Sequence, residues 1–130
     1  MFDALSRYQP QLLGLLRIVT GLVFLAHGVA KLFGFPPSEM PAQDPLSFFG
    51  IAGIIELVVG TLIMIGLFTR PAAFIASGEM AVAYWYGHFP QSPYPVINKG
   101  DAAILFCFIF LYLVAAGAGA FSVDGARTKR

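Results

Sequence analysis

Between Leu12 and Phe35 the chain is apolar except along one line. Arg17, Thr20, Phe24, His27 and Lys31 follow one another at steps of 3, 4, 3 and 4, which places all five on one face of an α-helix. Gly14, Gly21 and Gly28 recur beside them at every seventh position. A helix that is lipid-soluble all round but for one cationic, glycine-lined stripe has to turn that stripe toward other protein. The stripe therefore calls for a helical bundle in a membrane, with a polar seam inside it.

Composition agrees with that reading. Hydrophobic residues make up 58% of the 130 and charged ones 12%, where a soluble domain carries about 25% charged residues. The length suits a single membrane domain spanning residues 1–130. A net charge of +1 leaves no basic patch for phosphates, which excludes nucleic acid as a partner. Cys107 is the single cysteine and lies in an apolar run, so it reads as a small apolar filler. The first apolar run is longer than a signal-peptide core and no A-x-A site follows it, so the first helix is expected to be retained.

Four segments approach the roughly 20 residues of a membrane span: residues 12–35, 46–68, 71–89 and 101–121. The expected fold is all-α, an integral membrane four-helix bundle. Prolines at 36, 37, 41 and 45, and again at 90, 93 and 95, break the chain after the first and third segments. The joint at Thr69-Arg70 is so short that the second and third helices must be antiparallel neighbours. Arg7, Arg70, Arg127, Lys129 and Arg130 flank the side that holds both termini and this joint. The Lys/Arg bias thus predicts cytoplasmic N- and C-termini. Trp85, Tyr84, Tyr86 and Tyr94 would form an aromatic belt at the outer boundary.

Two carboxylates lie inside the spans. Glu56 sits on the stripe Phe49, Gly53, Glu56, Gly60, Ile63, and Glu79 on the stripe Ala72, Ala76, Glu79, Ala83, Tyr86. At 1.5 Å per residue, Arg17 is about 8 Å from the cytoplasmic end of its helix, Glu79 about 12 Å, Glu56 about 18 Å and His27 about 22 Å. The depths match Arg17 to Glu79 and make His27 the nearest titratable group to Glu56. Lys31, His88, Asn98 and Asp101 converge near the outer surface. Arg17, His27, Lys31, Glu56, Glu79, His88, Asn98 and Asp101 are therefore the candidates for a ligand-binding or polar-core site. Catalytic residues are not assigned. No metal-ligating pattern, Gly-rich phosphate loop or Cys-x-x-Cys occurs. Haem held by His27 and His88 is disfavoured, because their depths differ by about 9–10 Å. The aromatic fourth segment, with Phe106, Phe108, Phe110 and Tyr112, reads as lipid-facing and packing surface.

Several short motifs now fall in order along the chain: Leu16-Arg17, Gly21-Leu22-Val23-Phe24, His27-Gly28-x-x-Lys31-Leu32-Phe33, Gly53-x-x-Glu56-Leu57-x-x-Gly60 and Leu67-x-Thr69-Arg70. Met80 and Ala83 before His88, then Gly117-Ala118-Gly119 leading into Ser122-Val123-Asp124, complete the series. With these the chain resembles the DoxX family of small bacterial inner-membrane proteins. The resemblance implies four membrane helices. The family takes its name from the small subunit of an archaeal thiosulfate:quinone oxidoreductase, although nothing here looks like a thiosulfate site. The expected function is a small redox-associated membrane subunit that binds a quinone-like lipophilic ligand. His27 would hydrogen-bond a quinone carbonyl and Glu56 would exchange its proton. Arg17 and Glu79 would hold the site, and Lys31 and Asp101 would close it outward. Partners would be the lipid bilayer, a soluble or peripheral redox protein and other copies of the chain. The alternative is a non-catalytic structural, assembly or small-ligand-binding protein whose buried charges only pack the bundle.

Overall fold

A computed structural model describes residues 1–128. Lys129 and Arg130, which count toward the charge bias, lie outside the described residues. After a 3-10 segment, Phe2–Tyr8, come the long helices α1 (Gln9–Phe33), α2 (Phe48–Ile65), α3 (Thr69–Ala83) and α4 (Asp101–Ala116), and then a short α5 (Val123–Thr128). Among the described residues there is no strand. Two helical stretches, Phe2–Phe33 and Phe48–Ile65, are long and apolar enough to cross a membrane, and α4 is a shorter apolar helix.

Local chemistry sets the helix ends. Gly34 takes a left-handed conformation (φ 65°) and stops α1. Ser47 caps α2 by accepting a bond from the Gly50 N–H at 3.0 Å. Gly66 ends α2, again left-handed at φ 73°. The third element departs from the continuous helix expected over 71–89. The α-helix stops at Ala83, and a wide π-turn (Tyr84–His88) and a tight 3-10 turn (Phe89–Gln91) follow. Pro90 lacks the N–H that a regular helix would bond to Tyr86, so the winding changes before it. The fourth helix also ends earlier than residue 121. Gly117 (φ 81°) turns the chain, and residues 118–122 run back beneath α1.

The four long helices pack as two hairpins. α1 lies along α2 and α3 along α4, while α2 and α3 share a shorter contact and α1 barely meets α4. The glycine stripe explains the first hairpin. A Cβ on Gly28 would sit 2.7 Å from the Gly53 carbonyl oxygen, and one on Gly21 would sit 2.7 Å from the Met64 nitrogen. Gly60 meets Leu25 as closely from the other side. Backbone contact this close needs small residues. The two hairpins meet in an apolar centre of Phe24, Ile63, Ala73, Ala76, Phe110 and Leu113, each fully buried. Phe24 of α1 packs edge-on against Phe110, with centroids 4.8 Å apart. The aromatic set of α4 thus divides. Phe106 and Phe110 are core, and Phe108 and Tyr112 face outward. Cys107 packs beside the core, where the Ser77 hydroxyl donates to its carbonyl at 2.8 Å.

Candidate functional site

Arg17 is fully buried, and all five of its N–H groups meet main-chain oxygens. Nε donates to Ala118 O at 2.9 Å. Nη1 donates to Ile63 O and Met64 O at 3.3 and 3.1 Å. Nη2 donates to Ala120 O and Phe121 O at 2.9 and 2.8 Å. The expected Arg17–Glu79 pair is therefore absent. Depth counting omitted the C-terminal segment, which returns to the level of Arg17 and brings its carbonyls with it. The carbonyl end of α2 also favours a cation there. Glu79 lies ten residues into α3, roughly 15 Å beyond its start.

Glu56 pairs with Lys31 instead of His27. The Lys31 ammonium donates to both carboxylate oxygens, at 2.8 and 2.7 Å, and Glu56 is 2% exposed. The close Gly28–Gly53 crossing lowers Lys31 onto the Gly53 turn, and its long stem delivers the charge one turn further. Glu79 lies beside Glu56 and within the field of Lys31. Both Glu79 oxygens are buried, with no hydrogen-bond partner among the described residues.

These groups border one cavity of about 680 Å³ between the two hairpins. Phe24, Ile55 and Phe106 supply apolar walls, while Lys31, Glu56 and Glu79 supply charge. His27 also borders it, its ring edge-on to Phe106 at 5.8 Å. The rim includes Ile51 of α2 and Ile75 and Val82 of α3, all about half exposed on the outer surface. The cavity therefore reaches the side of the bundle through the cleft between α2 and α3. At its end toward the Pro-rich loops, Phe48 stacks near Tyr86, with centroids 4.9 Å apart.

His88 and Asn98 serve the loop before α4. His88 Nδ1 meets the Asn98 carbonyl at 3.0 Å. The buried Asn98 side chain donates to Tyr84 Oη and Ser92 O, and accepts from the Gly100 N–H at 2.8 Å. His88 also borders the cavity, whereas Asp101 stands exposed in the first turn of α4 and does not. Lys99 takes the place at the mouth expected for Asp101. Among the described residues no cluster of three metal-ligating side chains occurs.

Sequence reasoning missed Asp124. Its carboxylate accepts from the Phe68 and Thr69 N–H groups, both at 2.9 Å, and so caps α3 from 55 residues away. Burial pushes this carboxyl up, but the Thr69 and Phe68 N–H bonds and the Arg127 charge outweigh it and hold it below its ordinary value. Arg70 closes the same end by donating to Val114 O and Ala115 O at 2.9 and 2.7 Å. The signal was present in Leu67-x-Thr69-Arg70 and Ser122-Val123-Asp124, two polar motifs with no role inside a span.

The fold and this cavity define a helical membrane protein with ionisable groups set in an apolar interior. A family model described as DoxX matches residues 12–89, and the chain belongs to that family. It is 41% identical over 133 aligned positions to a Haemophilus influenzae protein described as uncharacterized, covering 97% of this chain and 98% of that one. The Escherichia coli inner membrane protein YphA is 29% identical, with 89% of this chain and 90% of that one aligned. A Bacillus subtilis protein named "Putative oxidoreductase CatD" is 35% identical over 66 positions, 43% of this chain and 44% of its own. No solved structure matches.

Proposed function

We propose that this protein is a small redox-associated subunit of the bacterial inner membrane that holds a lipid-soluble molecule of the quinone type in the cavity between its hairpins. The observation that carries the reading is the Glu79 carboxyl, buried with no hydrogen-bond partner among the described residues at the wall of an apolar cavity of about 680 Å³. Ligand sites measure about 300–1,000 Å³ and combine apolar walls with a few convergent polar groups. The cleft between α2 and α3 gives a lipid-dissolved molecule a lateral way in. The oxidoreductase name of the Bacillus subtilis relative agrees with this reading. A soluble or peripheral protein would exchange electrons with the bound molecule. Four helices would cross the bilayer, with both termini on the cytoplasmic side.

The test is thermal melting of the detergent-purified protein with and without a short-chain quinone. A ligand that binds only the folded state stabilises it by about 2.7 kcal/mol at 100 times its Kd. The wild type is expected to melt higher with the quinone. Gly78 borders the cavity and has nothing within 4 Å of where a Cβ would stand, so Gly78→Leu should fill the space, fold, and lose the response. A wild-type melting point that the quinone does not raise counts against the proposal. A second reading, a non-catalytic protein whose charges only pack the bundle, draws on Arg17 and the Lys31–Glu56 pair, which the protein satisfies internally. On that reading Glu79→Leu changes nothing but stability.

A further inference from the structure

Glu56 and Glu79 are neighbours at the cavity wall, but their surroundings differ. The Lys31 ammonium donates to both Glu56 oxygens, at 2.8 and 2.7 Å, and cancels that charge. Both Glu79 oxygens are buried. Among the described residues neither receives a hydrogen bond from Lys31, His27, His88 or Lys99, which border the same cavity. The α4 side of the wall is apolar, formed by Ala102, Ala103 and Phe106. One engaged ammonium thus faces two neighbouring carboxyls. A second carboxylate there would be a buried charge with no counterion of its own, which a low-dielectric interior strongly disfavours. A neutral carboxylic acid avoids that cost.

Access to Glu79 is one-sided. The cavity continues from it to His88 and Lys99, at the end toward the Pro-rich loops. In the other direction every helix sets fully buried apolar side chains before the end closed by Arg17 and Asp124. They are Phe24 on α1, Ile63 on α2, Ala73 and Ala76 on α3, and Phe110 and Leu113 on α4. The lateral cleft opens to lipid, which supplies no protons. We infer that Glu79 is the proton-exchanging residue of the cavity, a neutral acid at rest that takes its proton from water on the loop side and returns it there. Glu56, the carboxyl expected from the sequence to exchange a proton, is instead held as the counterion of Lys31. The step moves one proton between water and one Glu79 oxygen, and no electron moves. It stands whether or not a quinone-type molecule enters the cavity.

The experiment is infrared spectroscopy of the full-length protein in detergent, without quinone, at neutral pH in H2O and after transfer to D2O. Ordinary carboxyls are ionised at that pH, so a carboxylic-acid C=O band marks a protonated buried group. The wild type is expected to show the band and to shift it in D2O, and Glu79→Gln to lack it. Ala83 borders the cavity one helical turn from Glu79 on the loop side. Ala83→Leu should cover the carboxyl from that direction, keep the band and slow its shift in D2O. Gly87, further along the same route, borders the cavity and has nothing within 4 Å of where a Cβ would stand. Gly87→Leu therefore repeats the test without crowding, and melting checks that each variant folds. A wild-type spectrum without the acid band overturns the inference, as does a band that persists in Glu79→Gln. A D2O shift as fast in both folded leucine variants as in the wild type overturns the loop-side route. Because no quinone is present, these outcomes are separate from success or failure of the proposed function.

Discussion

Arg17 works as a main-chain clamp. Its five N–H groups bind the last carbonyls of α2 and three carbonyls of the returning C-terminal segment. Arg17→Ala should therefore lower stability by roughly 3 kcal/mol or more, because hydrogen bonds to a charged group contribute about 1.5–3 kcal/mol each without adding fully. Melting in detergent measures it. An ion pair with Glu79 would make the effects of Arg17→Ala and Glu79→Gln non-additive. The geometry predicts simple addition. Lys31 behaves differently, since its removal strands the buried Glu56 carboxylate. Lys31→Met should destabilise by about 3–5 kcal/mol, and pairing it with Glu56→Leu should restore much of the loss. The sequence displayed all these side chains but not their partners. Helical spacing reveals which face a residue occupies, whereas a main-chain carbonyl arriving from residue 118 or 120 leaves no pattern in side-chain identity. The Glu56 partner was misjudged for a different reason. Counting rise per residue fixes the Cα level, and a lysine stem moves its charge by about a helical turn from there.

At the scale of elements, the apolar runs and proline clusters located the four long helices to within a few residues at most ends, because burial periodicity and proline sterics are local properties. What they left out were the ends that depend on distant chain. The turn from α2 into α3 needs Phe68 in a left-handed conformation (φ 51°), and Asp124 of α5 holds it there by binding the Phe68 and Thr69 N–H groups. The Asp124 N–H in turn donates to Gly66 O at 2.8 Å. This clasp has a pH signature. The folded Asp124 carboxyl sits below its ordinary value of 3.8, so its contribution is complete above that value and is lost as pH falls through the lower, folded one. Asp124→Asn should melt below the wild type at neutral pH, and the gap should close as the pH drops below about 4. A gap that stays constant with pH would show that the charge is not what caps the helix. Within α3, Gly78 meets no neighbour. Gly78→Ala should then raise stability by about 0.8–1.0 kcal/mol, the helix-propensity difference alone, with ligand entry still free because one methyl group occupies little of the cavity.

For the whole molecule, the clasp gathers three pieces of chain at one end of the bundle. The Ala120 N–H donates to Pro10 O at 2.9 Å, Arg17 holds the segment between them, and Asp124 joins that segment to the α2–α3 turn. Among the described residues the N-terminal segment, the C-terminal segment and the α2–α3 turn therefore share one end of the bundle. Arg7, Arg70 and Arg127 lie on this side, and the loop side holds Lys99 at the mouth of the cavity. Lysine and arginine collect on the cytoplasmic side of short-looped membrane proteins; on the proposed orientation the clasp would lie in the cytoplasm and the cavity in the outer half of the bilayer. A ligand exchanging through the α2–α3 cleft would then come from the outer leaflet. Reporter fusions test the arrangement directly. Alkaline phosphatase joined after residue 130 should be inactive, and the same enzyme inserted in the 90–100 loop should be active. Green fluorescent protein at the same two points should give the reverse. An active C-terminal phosphatase would invert the molecule, turning the cavity toward the cytoplasmic leaflet and the clasp toward the periplasm. That result would change which soluble partner the bound molecule could meet, and would leave the packing of the four helices untouched.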